Sequence, residues 1–220
     1  MKIKIFLIIS MLINILFFMH TYSVHAVKIS NEEAKIENKS DKMNVIIYYP
    51  LTKYKILNIN IKSKINEYIK EFNKGIKQSA LLNQYYSLII LYDTYEYKNY
   101  ISYIFRIENF MGGAHPSHRI YTVVYNKDTN KIITIDDLIK ENTNTLEIFK
   151  EESRNILKNN KRIRIASMLY EGTTSKKENF NNFVFSEYGI ILFFPQYQVA
   201  PYSEGEFNIL IPYDKILNTE

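Results

Sequence analysis

Two histidines and two aspartates are the side chains in this sequence best suited to acid–base chemistry. His115 and His118 lie close together, and Asp136 and Asp137 follow them further along the chain. Histidine is the usual general base because its pKa lies near neutral pH. His115 could therefore work with Asp136 or Asp137 in a small hydrolase. The alternative, which we favour, has His115 packed against a neighbouring turn with its ring bonded to a backbone carbonyl.

The spacing of the histidines argues against a bound metal. They are three residues apart with Pro116 between them, which disrupts the helix that would bring two imidazoles to one ion. The chain also contains no cysteine, which excludes thiolate zinc sites, disulfides and cysteine nucleophiles. We therefore predict no metal site and no cofactor.

Glycine and proline are scarce in this chain but concentrate in two segments. The first reads FMGGAHP over residues 110–116, and the second reads FFPQYQVAPYSEG over residues 193–205. Such clusters indicate a fixed, irregular backbone path. The second segment either lines a peptide or glycan groove or, as we favour, is an ordered connection. We predict a binding or structural motif made of Gly112, Gly113, His115, Pro116, Pro195, Tyr197, Pro201, Tyr202 and Gly205.

Hydrophobic patterning predicts short strands, many of them paired as hairpins, with few helices between them. Helical spacing over 58–74 predicts the longest helix, with Gly75 as its stop, and a second helix follows over 146–157. Lys158, Lys161, Arg162 and Arg164 come after that helix, where they either contact an anionic polymer or, as we favour, stabilise the helix end. Strands are predicted at 43–49, 85–97, 100–110, 119–125, 132–135, 183–185, 190–194 and 207–211.

The order of these elements indicates the fold class. Hairpins without long βαβ alternation predict an α+β fold, with antiparallel sheets, one or two helices packed on one side, and two lobes. The N-terminal lobe is expected over residues 43–139, including the GGAHP segment, and the C-terminal lobe over residues 140–220.

The beginning of the chain has the layout of an export signal. Residues 1–26 contain a short basic start, an apolar run and a small final residue, which predicts a cleaved signal peptide followed by a flexible tether over 27–42. An uncleaved membrane anchor is the alternative. Removing residues 1–26 takes away two lysines and no acids, so the net charge falls by two from +5 to +3. This charge is too small to indicate nucleic acid as a partner.

The two glycine- and proline-rich segments carry a resemblance. The pattern F-x-G-G-A-H-P, the later F-F-P-x-Y-x-V-A-P-Y-x-x-G and a final I-P-Y resemble the extracytoplasmic domain of RsiV-type anti-sigma factors. A similar module precedes the catalytic domain of PdaC-type peptidoglycan deacetylases, and the Tyr48-Tyr49-Pro50 segment with its following helix resembles its usual small N-terminal partner domain. The resemblance would cover residues 43–217.

The resemblance implies an α+β module of two lobes, whose best-understood relative binds lysozyme. Together with the signal segment and the lack of a catalytic constellation, it predicts a secreted or envelope-associated, non-enzymatic binding module, whose partner would be a lysozyme-like protein or peptidoglycan. The few residues before the apolar run are too short to hold a sigma factor, and the chain ends near the end of the module. We therefore expect neither regulator nor deacetylase activity of the parent proteins. The alternatives are a small envelope hydrolase using His115 and, if the leader is retained, a membrane-tethered sensor domain.

Overall fold

The computed structural model describes residues 32–78 and 84–217. The signal peptide predicted over residues 1–26 lies outside these residues, as do the first residues of the predicted tether. Within the described ranges, no helix combines the length and the apolar character needed to cross a bilayer.

A six-stranded sheet forms the first half of the described chain. Its strands follow the order β1-β2-β3-β4-β5-β6. All neighbours are antiparallel except β2 and β3, which are parallel because a long helix crosses between them. The strands span Glu32–Ser40 (β1), Met43–Leu51 (β2), Tyr86–Tyr97 (β3), Tyr100–Phe110 (β4), Ser117–Asn126 (β5) and Lys131–Ile133 (β6).

The flexible tether predicted for residues 27–42 is wrong over its described part. Residues 32–40 form β1, which pairs with β2 along its whole length. Its half-buried Ala34 and Ile36 alternate with charged residues that face the solvent. This charged composition suits the outermost strand of a sheet, where it discourages pairing with other chains.

The long helix α1, Lys55–Gln78, covers one face of this sheet. Its buried residues recur at helical spacing and pack against the odd-numbered side chains of β4, such as Tyr103 and Phe105. The predicted stop at Gly75 is wrong, since the helix continues to Gln78. A Cβ at position 75 would come within 2.6 Å of the Cε atom of Met111, the flexible end of that side chain.

The second half of the described chain builds a three-stranded antiparallel sheet with helices on one face. The sheet follows the order β7-β8-β9. A helix at 166–172 was not predicted from the sequence. The elements are α2 (Ile135–Glu141), α3 (Thr145–Leu157), α4 (Ala166–Gly172), β7 (Phe183–Ser186), β8 (Gly189–Phe194), β9 (Phe207–Pro212) and α5 (Tyr213–Leu217).

Side chains on the two faces of β8 pack against the two halves of the described chain and so join them. Leu192 and Phe194 point toward the helices and share a core with Phe149 of α3. Ile191 and Phe193 point the other way, onto Ile104 of β4. The layers therefore run from α1 to the six-stranded sheet, then to the three-stranded sheet and finally to the helices α2 to α4.

The α+β class predicted from the sequence is confirmed, with the parallel β2–β3 pair as a departure from purely antiparallel sheets. The boundary predicted between residues 139 and 140 falls inside α2. Ile135 and Leu138 of that helix are buried in the core of the second half. The C-terminal unit therefore begins at α2 rather than after it.

Candidate binding site

The two glycine- and proline-rich segments meet in the folded chain. The Tyr202 ring stacks on the His115 ring with centroids 3.9 Å apart and planes inclined by 26°. The Tyr202 hydroxyl donates a hydrogen bond of 3.0 Å to the carbonyl oxygen of Pro116. The contact joins residues 86 positions apart, so it is made only when the two halves are packed together.

Polar contacts of Gln198 hold the loop between β8 and β9, residues 195–206. The Gln198 side-chain amide donates to the carbonyl oxygens of Gly172, at 2.8 Å, and Asn179, at 2.9 Å. Val199 and Ala200 follow it into the core. Buried contacts of this kind fix the backbone of a loop that has no ladder partner of its own.

Two arginines hold the far end of the same loop. Arg162 donates to the carbonyl oxygen of Glu206 at 3.1 Å and lies over the Phe207 ring. Arg164 pairs with Glu204 at 3.2 Å. The sequence favoured stabilisation of a helix end by these cations over contact with an anionic polymer, whereas the contacts of the Arg162 and Arg164 side chains are with this loop.

Tyr197 occupies an unusual position at the top of the loop. Its φ of 69° lies in the left-handed region, which residues other than Gly, Asn and Asp rarely adopt. The side chain is nevertheless 58% exposed, and its ring centroid lies 5.6 Å from that of Tyr202. Strain of this kind persists only where the surroundings enforce it, and it is concentrated at functional sites.

The ring of Tyr202 is in contact with those of Tyr197, His115 and His118, and we call these four rings the aromatic row. Tyr197 and His115 are exposed, whereas Tyr202 and His118 are half-buried. The His118 ring centroid lies 6.0 Å from that of Tyr202. Pro195 lines the groove beside the row, Pro201 precedes the short turn that carries Tyr202, and Gly205, with φ 74°, ends that turn. The predicted motif residues of the two segments thus lie at one place on the molecule.

His115 is exposed, and its Nδ1 lies 2.9 Å from the carbonyl oxygen of Pro116. A carbonyl can only accept, so this contact places the proton on Nδ1 and leaves Nε2 of the neutral ring as an acceptor. Gly112 and Gly113, with φ values of 79° and 131°, provide the preceding turn. The backbone contact predicted for His115 is present, but its ring faces solvent rather than packing beneath the turn.

The structure does not bring Asp136 or Asp137 to His115. Asp136 pairs with Lys177 and lines a cavity together with Thr122. Thr122 lies about 16 Å along β5 from Ser117, the first residue of that strand. Asp137 accepts hydrogen bonds from the Thr134 side chain, at 2.7 Å, and from its backbone N–H, at 2.9 Å. These bonds hold the pKa of the Asp137 carboxyl below its usual value and cap the start of α2.

No group of three or more His, Asp or Glu side chains in the described ranges is arranged to hold a metal ion. His118 has a carboxylate as its direct cross-strand partner, that of Glu108.

A groove opens directly beside the aromatic row, where the three-stranded sheet leaves the outer face of the large sheet uncovered. Its volume is about 310 Å³, at the lower end of the range for ligand pockets. We call it the sheet groove. It is lined by Ile89, Leu91, Arg106, Ile107, Glu108, His118, Arg119, Ile120, Pro195, Gln196 and Glu206.

Charged residues from both sheets meet at one wall of this groove. Arg106 of β4 donates from Nε to Glu206 at 2.9 Å and from Nη1 to Asp93 of β3. Burial lowers the pKa of the Arg106 guanidinium, but the hydrogen bonds and charges of Glu206 and Asp93 outweigh burial and raise it. These residues were not predicted from the sequence. Arg106 and Glu108 are the only charged residues of β4, and that is the signal that could have indicated them.

Comparisons with known proteins agree with this architecture. Residues 136–214 match the family described as "Protein of unknown function (DUF3298)". The chain is 30% identical over 184 residues to the peptidoglycan-N-acetylmuramic acid deacetylase PdaC of Bacillus subtilis (strain 168). That alignment covers 82% of this chain and 39% of PdaC, so the chain spans well under half of that relative's length.

Two crystal structures of DUF3298 family proteins share the fold. The one from Pseudomonas aeruginosa PAO1 has a TM-score of 0.65 at 13% identity and covers 86% of this chain and 94% of its own. The one from Bacteroides fragilis NCTC 9343 has a TM-score of 0.56 at 15% identity and covers 86% and 93%. These structures show the fold alone, while residues 136–214 match the DUF3298 family model. The predicted resemblance to the PdaC-type module is confirmed.

Proposed function

We propose that this chain is an extracytoplasmic binding module for peptidoglycan, and that the aromatic row is its contact surface. The observation that carries the proposal is Tyr197, which is displayed to solvent at a left-handed backbone position beside Tyr202. A loop fixed this firmly has no structural need for an exposed aromatic ring at position 197. Contact with a ligand would explain why the ring is there.

The chemistry of the row suits a polysaccharide. Tyrosine offers a large rigid apolar face with a polar tip, and it loses little conformational entropy when it is bound. Sugar rings present C–H faces edged by hydroxyl groups, which match stacked rings bordered by hydrogen-bonding groups. The Nε2 atom of His115 adds an acceptor for a hydroxyl or amide N–H beside the Tyr202 ring.

The relation to PdaC supports the location and the polymer. PdaC is named as an enzyme that acts on the N-acetylmuramic acid of peptidoglycan, a polymer outside the cytoplasm. This chain matches 39% of PdaC, and we propose that this portion holds the wall rather than modifies it. The signal-peptide pattern over residues 1–26 fits export to the same place.

Co-sedimentation of the chain with purified insoluble peptidoglycan tests the proposal. We expect saturable binding that weakens about tenfold in Tyr197→Ala and in Tyr202→Ala, since aromatic anchors of a contact commonly contribute more than about 1 kcal/mol each. Tyr188→Ala is the matched control, because Tyr188 is also an exposed tyrosine but lies in the β7–β8 turn. Absence of saturable binding by the unaltered chain would refute the proposal.

A titration with lysozyme belongs in the same experiment. Saturable lysozyme binding without peptidoglycan binding would contradict the wall proposal and indicate a protein receptor instead. Equal loss of binding in the Tyr188→Ala control would also count against the aromatic row, because it would show that any exposed ring contributes.

A further inference from the structure

We propose that the sheet groove binds an aliphatic chain ending in an ammonium group, as carried by the diamino-acid side chain of a wall peptide, with Glu108 as its counter-charge. The inference rests on the proposed function and extends it from the glycan to the attached peptide. Its support comes from the charge, the apolar floor and the position of the groove.

Carboxylates outnumber cations at the charged wall of the groove. Asp93 and Glu206 both pair with Arg106, so that one guanidinium already serves two carboxylates. Glu108 lies two residues further along β4 on the same face, and its carboxylate has no hydrogen bond or ion pair within residues 32–78 and 84–217. Glu108 is thus the carboxylate left to bind an incoming cation.

Nearby cations are occupied elsewhere. Arg119 comes from the opposite face of β5, where it pairs with Glu71 of α1 at 2.8 Å and lies over the Tyr68 ring. Arg162, beyond Glu206, donates to a backbone carbonyl and covers Phe207. Leaving a partly desolvated carboxylate without a cation costs free energy. An ammonium group bound to Glu108 would therefore be stabilised more than one in an ion pair on the exposed surface.

The floor of the groove is apolar. Ile89 and Leu91 of β3 and Ile120 of β5 project from the uncovered face of the large sheet, and Leu91 is 50% exposed. Aliphatic stems of lysine-like side chains bury favourably on such a surface while the charged end stays at a polar rim. The volume of about 310 Å³ accommodates one side chain of this kind.

A second acceptor lies at the wall shared with the loop. The Oε1 atom of Gln196 is buried and has no donor in the described part of the chain, while its amide nitrogen donates to the carbonyl oxygen of Tyr202 at 3.3 Å. Buried acceptors without a donor are uncommon, and a ligand N–H is one way to satisfy them. Both acceptors favour a ligand rich in hydrogen-bond donors.

The groove and the aromatic row share a border. His118 lines the groove and ends the row, and Gln196 directly precedes Tyr197. A glycan strand on the row would therefore carry its attached peptide past the mouth of the groove. This continuity favours the wall peptide as the source of the ammonium group.

The test uses the full chain and two capped tripeptides, Ala-Lys-Ala and the same peptide with norleucine in place of lysine. We expect calorimetry or NMR titration to show at least tenfold weaker binding of the norleucine peptide, since hydrogen bonds to charged groups contribute about 1.5–3 kcal/mol. Glu108→Gln should weaken lysine peptide binding to the same extent. Glu151→Gln, at an exposed position of α3, is the control and should leave binding unchanged.

Two outcomes would overturn the inference. One is equal binding of the two peptides, and the other is unaltered lysine peptide binding by Glu108→Gln with its melting temperature preserved. Glycan strands freed of peptide by an amidase separate this inference from the proposed function. Strands that bind while the lysine peptide does not would overturn the groove assignment alone, and strands that fail to bind would count against the aromatic row.

Discussion

Replacing Tyr197 by glycine should stabilise the fold and weaken wall binding at the same time. The φ of 69° at this position costs an L-residue about 1–2 kcal/mol relative to glycine. Glycine loses about 0.5–1 kcal/mol of this advantage through its larger backbone entropy in the unfolded chain. Tyr197→Gly should therefore exceed Tyr197→Ala in stability by about 0.5–1 kcal/mol.

The comparison of glycine with alanine isolates the backbone, because both variants lose the same ring. For a domain of this size we expect a difference in melting temperature of about 1–4 °C, with Tyr197→Gly the higher. Tyr170 provides a matched position, since it is also an exposed tyrosine but lies in the helix α4. There the order should reverse, because glycine in a helix is about 0.5–1 kcal/mol less stable than alanine.

Binding should follow the ring rather than the backbone. Tyr197→Gly and Tyr197→Ala should both lose about tenfold in affinity for peptidoglycan, while Tyr197→Phe should stay within about twofold. Calorimetric melting and co-sedimentation on the same preparations give both quantities. A Tyr197→Gly variant less stable than Tyr197→Ala would refute the strain argument. Full binding by either variant would refute the role of the ring.

Three further predictions concern the loop and the core. Gly172→Ala places a Cβ 2.0 Å from the carbonyl oxygen of Gln198. It should cost about 1–3 kcal/mol in urea denaturation and weaken peptidoglycan binding, and unchanged stability would contradict the packing described for the loop. Tyr202→Phe removes the hydrogen bond to Pro116 and should lower the free energy of unfolding by about 0.5–1.5 kcal/mol while keeping the stacked ring; a loss above about 3 kcal/mol would show that the hydroxyl has a further role. Burial raises the pKa of Tyr68 to about 12. The folded state keeps the Tyr68 proton where the unfolded chain loses it, so this stability is full below about pH 10 and is lost as the pH rises toward about 12. Melting temperatures from pH 9 to 12 should fall less steeply in Tyr68→Phe, and parallel curves would contradict the assigned pKa.

The strands of the central sheet were predictable because their patterning is local. The run from Tyr100 to Phe110 is rich in β-branched and aromatic residues, and its predicted bounds equal those of β4. Edge strand β1 was not predicted, because its pairing with β2 stabilises it while its own composition is charged. Helix α4 spans only seven residues, too short for its periodicity to stand out.

The candidate site was predictable only in part. The scarcity of glycine and proline marked both segments that form the aromatic row, yet no local pattern indicated that they touch. Their contact depends on the three-stranded sheet packing over Ile104, which is a property of the whole fold. The charged wall of the groove was missed for the same reason, since Arg106 lies 13 residues from Asp93 and 100 residues from Glu206.

NMR mapping of soluble peptidoglycan fragments on the isotope-labelled chain tests the central claim most directly. The account predicts that the largest chemical-shift changes fall on Tyr197, Tyr202, His115 and His118, with smaller changes along the neighbouring groove. Changes centred on the opposite side of the large sheet, around the helix α1, would contradict it. So would a titration that saturates without moving any resonance of the aromatic row.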